Sequence, residues 1–517
     1  MVPSTLQITR LRPALLWVPW LGLAVQILIS SEPINAACAL LAALSGWLLL
    51  LDSFVDERWL AYPLSSFVLL GLATVKSIGP LLFTALEGHP LIYNLAEPLR
   101  LFTWLTLLSL VFIVSHWLYR HQRWLSDLRD WLSARLAQLL AVNQPLDRPD
   151  VMLLFLLGCI GWAAFTLLEP GSSEEPLAVK LAEGFTPLSS VIVVLVCRPL
   201  IQRRWRAPQV VDLQLLAGGL ITLLVISFAV NSRSVFAVPL LSLLLALLFE
   251  ALFGLLRVRR RTLLAFGLAV VVGMPFLTDL ATTIVLTRDY RSSVNAAELV
   301  SMTLDQMGRR DELAERRQAD REAGFNDWDE VYLDNVFLAR FCNLKFDDNA
   351  LSLEHRLSST GRDLMRLYYL ERLYATAPRY ILDLFGIDND EKLTINDRSF
   401  GDELYALSTG EKSARGGFRT GHLIGSDLAV FGVWSLPLLA LVLLPLFAMV
   451  DALQARPRGE PLLNPLVITQ LVPLLTLSNA ESLITLVQFM LRGLPQIVLT
   501  YALAAWLGRR LLSPAWA

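Results

Sequence analysis

The chain has 517 residues, 55% of them hydrophobic and only 17% charged, with a mean hydropathy of +0.54. Those values exclude an ordinary soluble domain and place it among polytopic membrane proteins. With a formal net charge of −2 there is no bulk attraction to nucleic acid, so the placement of charge is more informative than its sum.

At the start, Arg10 and Arg12 precede an apolar run to Ile29 and then Ala36-Ala37-Cys38, which imitates a signal peptide. Apolar sequence resumes at once to Leu51, so this reads as an uncleaved first span. A span needs about 20 apolar residues. On that criterion the candidates are 13–30, 33–51, 62–86, 100–119, 151–168, 184–199, 212–230, 235–256, 263–286, 422–451, 462–478 and 482–507. The expected fold is therefore an all-α polytopic membrane protein of about 12 transmembrane helices. Three blocks follow: helices 1–9 over 1–286, a polar insert over 287–421, and helices 10–12 over 422–517.

The short loops assign an orientation. One side collects Arg10, Arg12, Arg58, the arginines of 120–148, Arg203 to Arg206, Arg257 to Arg261, Arg456, Arg458, Arg509 and Arg510. The other holds Glu32, Glu87, Glu97, Arg100, Glu169, Glu174, Glu175, Lys180 and Arg233. By the positive-inside rule both termini are cytoplasmic and the mainly helical insert is extracytoplasmic. Segment 118–149 reads as a basic stretch along the cytoplasmic surface. Cys38, Cys159, Cys197 and Cys342 form no disulfide framework, and no metal-ligand spacing is present, so no metal or cofactor is expected.

Candidate residues gather where the chain crosses to the insert side. Asn231-Ser232-Arg233-Ser234 is a turn in which Asn or Ser can cap the next helix and Arg233 can add an anion site; it reads equally as a capped turn with a snorkelling arginine. Within the insert, 361–385 reads as a helix. Its stripe of Leu364, Leu367, Leu370, Tyr374 and Ala377 is suited to lying on the membrane or capping a cavity, with Arg362 and Arg366 opposite. The acidic clusters Asp347-Asp348-Asn349 and Asp388-Asn389-Asp390-Glu391 could bind a divalent cation, but the second lacks the glycine and terminal glutamate of a calcium loop, and both read as solvated loops. At Arg419-Thr420-Gly421-His422 the chain re-enters the bilayer. The helix N-terminus there favours a neutral imidazole at His422, with Asp427 one turn deeper as its orienting group or as an independent base. Lys76, Asp279, Glu481 and Arg492 are ionisable groups inside apolar windows, where a cavity or a charged partner is expected.

Taken together, three of these places resemble the Wzy family, the oligosaccharide repeat-unit polymerases of bacterial surface polysaccharides. Asn231-Ser232-Arg233-Ser234 resembles the family's small-residue-plus-arginine turn, with Asn231 where glycine is usual. Thr420-Gly421-His422-Leu423-Ile424-Gly425-Ser426-Asp427, with Phe431-Gly432 beyond, resembles its second motif, although Gly421-His422 replaces proline-threonine. Glu481-Ser482-Leu483 with Arg492 resembles its acidic-plus-arginine final span. The histidine is reminiscent instead of the O-antigen ligases.

The resemblance implies a bacterial inner-membrane glycosyltransferase with a periplasmic loop. Its substrates would be polyprenyl-pyrophosphate-linked oligosaccharides, and its partners membrane lipids and a chain-length regulator. Pyrophosphate would be bound by Arg233, Arg492 and Lys76, with Arg288 and Arg291 in reserve. His422 or Asp427 would be the base, and Arg362, Arg366, Tyr368 and Tyr369 would hold the glycan. An O-antigen ligase, a transporter and a non-enzymatic scaffold are the competing expectations.

Overall fold

The computed structural model describes residues 6–54, 58–140, 146–166, 182–201, 208–253, 296–309, 329–335, 338–377, 398–411, 415–417, 419–455 and 462–512, with scattered positions at 255–287, 395 and 413. The chain is an all-α membrane protein. Seven helices among the described residues are long and apolar enough to cross a bilayer. They are α2 (Pro33–Phe54), α3 (Pro63–Leu86), α4 (Pro98–His121), α8 (Val210–Ala229), α9 (Ser234–Leu252), the run Leu423–Ala452 and the run Leu483–Arg510. A two-residue ladder, Gln454–Ala455 against Leu462–Leu463, closes the turn after the first of those runs.

Five of the twelve windows are not among these seven helices, and for 184–199 and 462–478 the reason is physical: hydropathy counts residues, whereas crossing requires a long unbroken helix. Window 13–30 falls in α1 (Leu6–Ile29), and 151–168 in α6 (Arg148–Thr166). Window 184–199 contains a ten-residue 3₁₀ helix, α7 (Thr186–Leu195), pressed so closely on α6 that a Cβ on Gly158 would meet the Ser189 backbone at 2.2 Å. Window 462–478 contains α16 (Pro465–Leu475), whose 11 residues rise only about 16 Å and end in a 3₁₀ turn. Window 263–286 lies largely outside the described residues, as do Arg288 and Arg291. The basic stretch expected along the surface is the amphipathic helix α5 (Arg123–Leu139), which packs on Leu423–Ala452 and carries exposed Trp124 and Trp131.

Buried leucines, valines and aromatics of α2, α3, α4, α9, α16 and the two C-terminal runs share one core. The insert adds α10 (Ala296–Gly308), which lies on α8. It also adds a compact group: α11 (Lys345–Arg356), α12 (Ser359–Ala375) and α13 (Phe400–Thr409). Ser358 caps α12 by accepting from Gly361 N, and Ser399 forms a capping box with Asp402 on α13.

The run Leu423–Ala452 is two helices. In α14 (Leu423–Phe431) every residue from Leu423 to Val430 is buried, because α11, α12 and α13 surround it. Gly432, at φ +57°, breaks the chain there, and α15 (Ser435–Ala452) makes the crossing. The insert's fold thus continues past 421 and takes in the helix that the sequence reading assigns to the membrane block. Gly425 allows the closest contact: a Cβ would lie 2.5 Å from that of Ala350 on α11. The last run divides likewise into α17 (Leu483–Gln488), a π-turn at Phe489–Gly493 and α18 (Leu494–Leu512).

Candidate functional site at the insert–bundle junction

Helix N-termini leave unpaired N–H groups, which are costly where water is excluded. This chain answers repeatedly with a carboxylate from another helix. Asp348 on α11 accepts from Ala96 N (2.7 Å) and Glu97 N (2.9 Å) at the start of α4. Asp427 on α14 accepts from Leu483 N (3.0 and 3.1 Å) at the start of α17. Glu481 accepts from Phe400 N (3.1 Å) at the start of α13, and burial raises its carboxyl above the ordinary value. On the opposite end of the bundle Asp451 accepts from Leu64 N and Ser65 N at the start of α3. Each case places a carboxyl oxygen at the positive end of a helix dipole.

Asp347 is the exception. It stands beside Asp348 on α11 and is fully buried, yet it caps nothing. Its Oδ2 takes the Lys76 ammonium at 2.8 Å, and its Oδ1 lies 2.7 Å from His422 Nδ1. Three segments distant in sequence thus converge: a π-turn in α3 (Thr74–Ile78), the insert and the residue preceding α14. Burial alone would raise the Asp347 carboxyl, but His422 and Lys76 together hold it below the usual range. Burial lowers the His422 imidazole and outweighs the opposing pull of Asp347, so the ring is neutral near pH 7.

The cluster is incompletely satisfied. Neither His422 nitrogen makes a well-aligned hydrogen bond. Asp347 Oδ1 meets only the imidazole, and Ser426 Oγ one turn along α14 and Ser478 Oγ, whose backbone lies beside the ring, are buried without hydrogen-bond partners. Several such atoms gathered at one place call for an explanation, and a catalytic role is one.

The remaining sequence candidates fall as follows. Lys76, expected to reach a phosphate, is 3% exposed and paired with Asp347. Asp427, considered as an orienting group for His422, instead takes the Tyr369 hydroxyl (3.0 Å) together with Leu483 N; Asp347 is the carboxylate that meets the imidazole. Tyr368 and Tyr369 face inward rather than toward a glycan. The Tyr368 hydroxyl donates to Arg398 O (2.8 Å), and that of Tyr369 accepts from Ile484 N as it donates to Asp427. The inversion has a simple cause: α12 buries Met365, Tyr368 and Tyr369 and leaves its leucines and Tyr374 outside.

Arg362 pairs with Glu354 (2.6 Å), while Arg366 donates to Val430 O (3.0 Å) and pairs with Asp363. Arg492 is exposed on the second π-turn. Arg233 is half-buried at the N-cap position of α9 and makes no side-chain cap; the Ser232 hydroxyl bonds Ser234 instead. In the described hydrogen bonds and ion pairs, neither Arg233 nor Arg492 joins the Lys76–Asp347–His422 group.

Two features reach beyond the sequence reading. Asn231 sits at φ +49°, the left-handed region where glycine is easiest and asparagine next. The sequence hides the role of Asp347, because an acidic pair reads as solvated. The available signal was the helical pattern of 345–356, in which Asp347 shares a face with Leu351 and Glu354. For a metal, the described residues bring together Glu87, His89 and Asp334, with ligand atoms within 4.8 Å of one another. Those groups already serve each other: Glu87 accepts from Asp334 N and Asn335 N, and His89 lies 3.2 Å from Asp334.

A comparison with known proteins finds no family model, no curated relative and no solved structure that matches this chain.

Proposed function

We propose that this protein is a glycosyltransferase of bacterial surface-polysaccharide assembly, a repeat-unit polymerase using polyprenyl-pyrophosphate-linked donors at the outer face of the inner membrane. The proposal includes twelve membrane passes, cytoplasmic termini and a periplasmic insert. The observation that carries it is the Asp347–His422 pair beside Lys76. A neutral imidazole whose Nδ1 faces a carboxylate, and whose ring makes no well-aligned hydrogen bond although the Ser478 backbone lies beside it, has the form of an oriented general base.

In the proposed reaction the acceptor hydroxyl oxygen bonds the anomeric carbon of the donor sugar as the bond from that carbon to the pyrophosphate oxygen breaks. The hydroxyl proton passes to His422 Nε2, and polyprenyl pyrophosphate leaves with the electron pair. Cations placed against the leaving group stabilise its developing charge. Arg492 and Arg233 are assigned that task, together with Lys76 once pyrophosphate competes with Asp347 for its ammonium. Lys76 and Arg492 each stand on a π-turn, a helical irregularity common at functional sites.

A ligase joining one lipid-linked glycan to a different acceptor uses the same chemistry, and the histidine before α14 is the feature that favours it. A transporter is favoured by the half-length helix α16 and the buried Lys76–Asp347 pair. Purified protein with a synthetic polyprenyl-pyrophosphate oligosaccharide separates these readings. Chain growth without nucleotide supports the polymerase, and glycan transfer only to a second acceptor supports the ligase. Flux across a vesicle wall without new glycosidic bonds rejects both.

A further inference from the structure

Helix α12 presents its two faces to unlike surroundings. Gly361, Met365, Tyr368, Tyr369 and Ala375 are buried, and the helix packs on α13 and α14. On the other side Leu364, Leu367, Leu370, Leu373 and Tyr374 are each 47–62% exposed, a continuous apolar stripe on a helix outside the long spans. Isolated exposed leucines need no explanation, whereas a contiguous stripe marks a surface that is covered by something.

Three attachments fix the level of that stripe. Near its start, Arg362 pairs with Glu354 (2.6 Å), and Glu354 also holds Arg100 (2.6 Å) in the first turn of α4. In its middle, Arg366 donates to Val430 O, just before the chain exposes Val433 and Trp434 at the head of α15. After its end, Thr376 Oγ1 accepts from Gln488 Nε2 (2.8 Å), just before exposed Leu491 and Arg492 at the head of α18. Helices α15 and α18 have 18 and 19 residues, about 27 and 28 Å of rise, close to the thickness of a hydrocarbon core. The stripe therefore runs along the level where crossing helices emerge from lipid, which is also where an exposed tryptophan such as Trp434 is favoured.

We infer that α12 lies in the plane of the membrane, its leucine stripe immersed at the acyl–headgroup boundary of the leaflet on the insert side. The occupant of this surface is phospholipid. The stripe continues the lipid-facing surface of Val433, Trp434 and Leu491, and its charge is nearly balanced, with Arg362, Arg366 and Arg372 set against Asp363 and Glu371. Apolar area rather than anionic headgroups holds it there. The insert is thus strapped to the bilayer along one helix, independently of any reaction the protein performs.

Spin labels test this inference. In the full chain with Cys159→Ser, the other cysteines being buried, cysteine is introduced singly at 363, 364, 367, 370 and 374, labelled, and reconstituted in phosphatidylcholine vesicles. The ratio of oxygen to water-soluble nickel-chelate collision rates is expected above one at 364, 367, 370 and 374. It is expected below one at 363, where Asp363 is well exposed on the polar side, and unchanged when half the lipid is phosphatidylglycerol. Nickel-dominated collisions at all five sites would place the stripe in water and overturn the inference. Low collision rates for both reagents at the leucines would mean a protein partner or a second copy covers the stripe, and would overturn it equally. A ratio above one only with phosphatidylglycerol would overturn its apolar basis.

Discussion

The two ends of the bundle each bury a histidine against an aspartate, and they treat it differently. At the end remote from the insert, His116 Nδ1 meets Asp52 (2.5 Å) and its Nε2 meets Ser65 Oγ (3.0 Å). Ser65 donates to Asp451 (2.6 Å), which also accepts from Tyr119 (3.0 Å) and from two backbone N–H groups. Arg120 closes the ring on Asp52 (2.6 Å). Every carboxylate and imidazole atom there has a role. At the insert end, His422 and Asp347 have close contacts but incomplete hydrogen bonding, and two serines stand by unpaired. The contrast lies in the imidazoles: one whose nitrogens and facing carboxylates are all engaged fixes a fold, even with Arg120 Nε, Ser66 Oγ and Ser115 Oγ left over beside it, whereas one without aligned hydrogen bonds leaves capacity for a substrate or a proton.

That contrast sets the expected results. Asp451→Ala removes an acceptor from four donors at once and should have the largest effect, a loss of about 3–5 kcal/mol of stability, read as a large drop in thermal midpoint in detergent. His422→Gln should reduce nucleotide-free chain growth about 100-fold while moving the thermal midpoint much less than Asp451→Ala does. If the ranking of midpoints reverses, the roles of the two ends are exchanged. Gly425→Ala pushes a Cβ to 2.5 Å from that of Ala350 and should cost about 1–3 kcal/mol, measurable as earlier protease cleavage of the insert.

The smallest effect is with pH. His422, held below its ordinary 6.5, binds fewer protons folded than unfolded, so the stability it permits at neutral pH is lost as pH falls through 6.5 toward the folded value. Asp347, held below 3.8, contributes stability that is present above that value and lost as pH falls further. Acid should therefore loosen the insert from the bundle in two steps, and in a protease-accessibility titration His422→Gln should abolish the upper one and move the lower one to higher pH, because Asp347 then loses one of the two groups that hold its carboxyl down.

Much of this fold is legible in the sequence because apolar runs and their interruptions are one-dimensional signals. The insert, the long spans and the helix beginning near Gly361 can all be read that way. What is not legible is where a run stops being one helix. The π-turns at Lys76 and Arg492, the kink at Gly432 and the 3₁₀ course of 186–195 depend on packing between segments far apart in the chain. The site divides on the same line. His422 and Lys76 stand out as polar groups in apolar surroundings, but their shared partner sits in an acidic pair that resembles any solvent-facing turn. Likewise, the alternation along α12 marks an apolar stripe, but which of its two faces turns toward the protein is a tertiary decision.

The π-turn of α3 has a bearing on how this chain can vary. A π-turn is an α-helix carrying one surplus residue, so deleting a single position within Thr74–Ile78 would leave a regular helix of the same topology. A five-residue π-turn covers about the same rotation as a four-residue α-turn, so the helix on either side would keep nearly its present phase. The change would fall on the turn that carries Lys76 to Asp347 and would leave the Ser65 anchor in place. The surplus residue therefore acts locally, re-aiming one side chain without turning the rod that bears it.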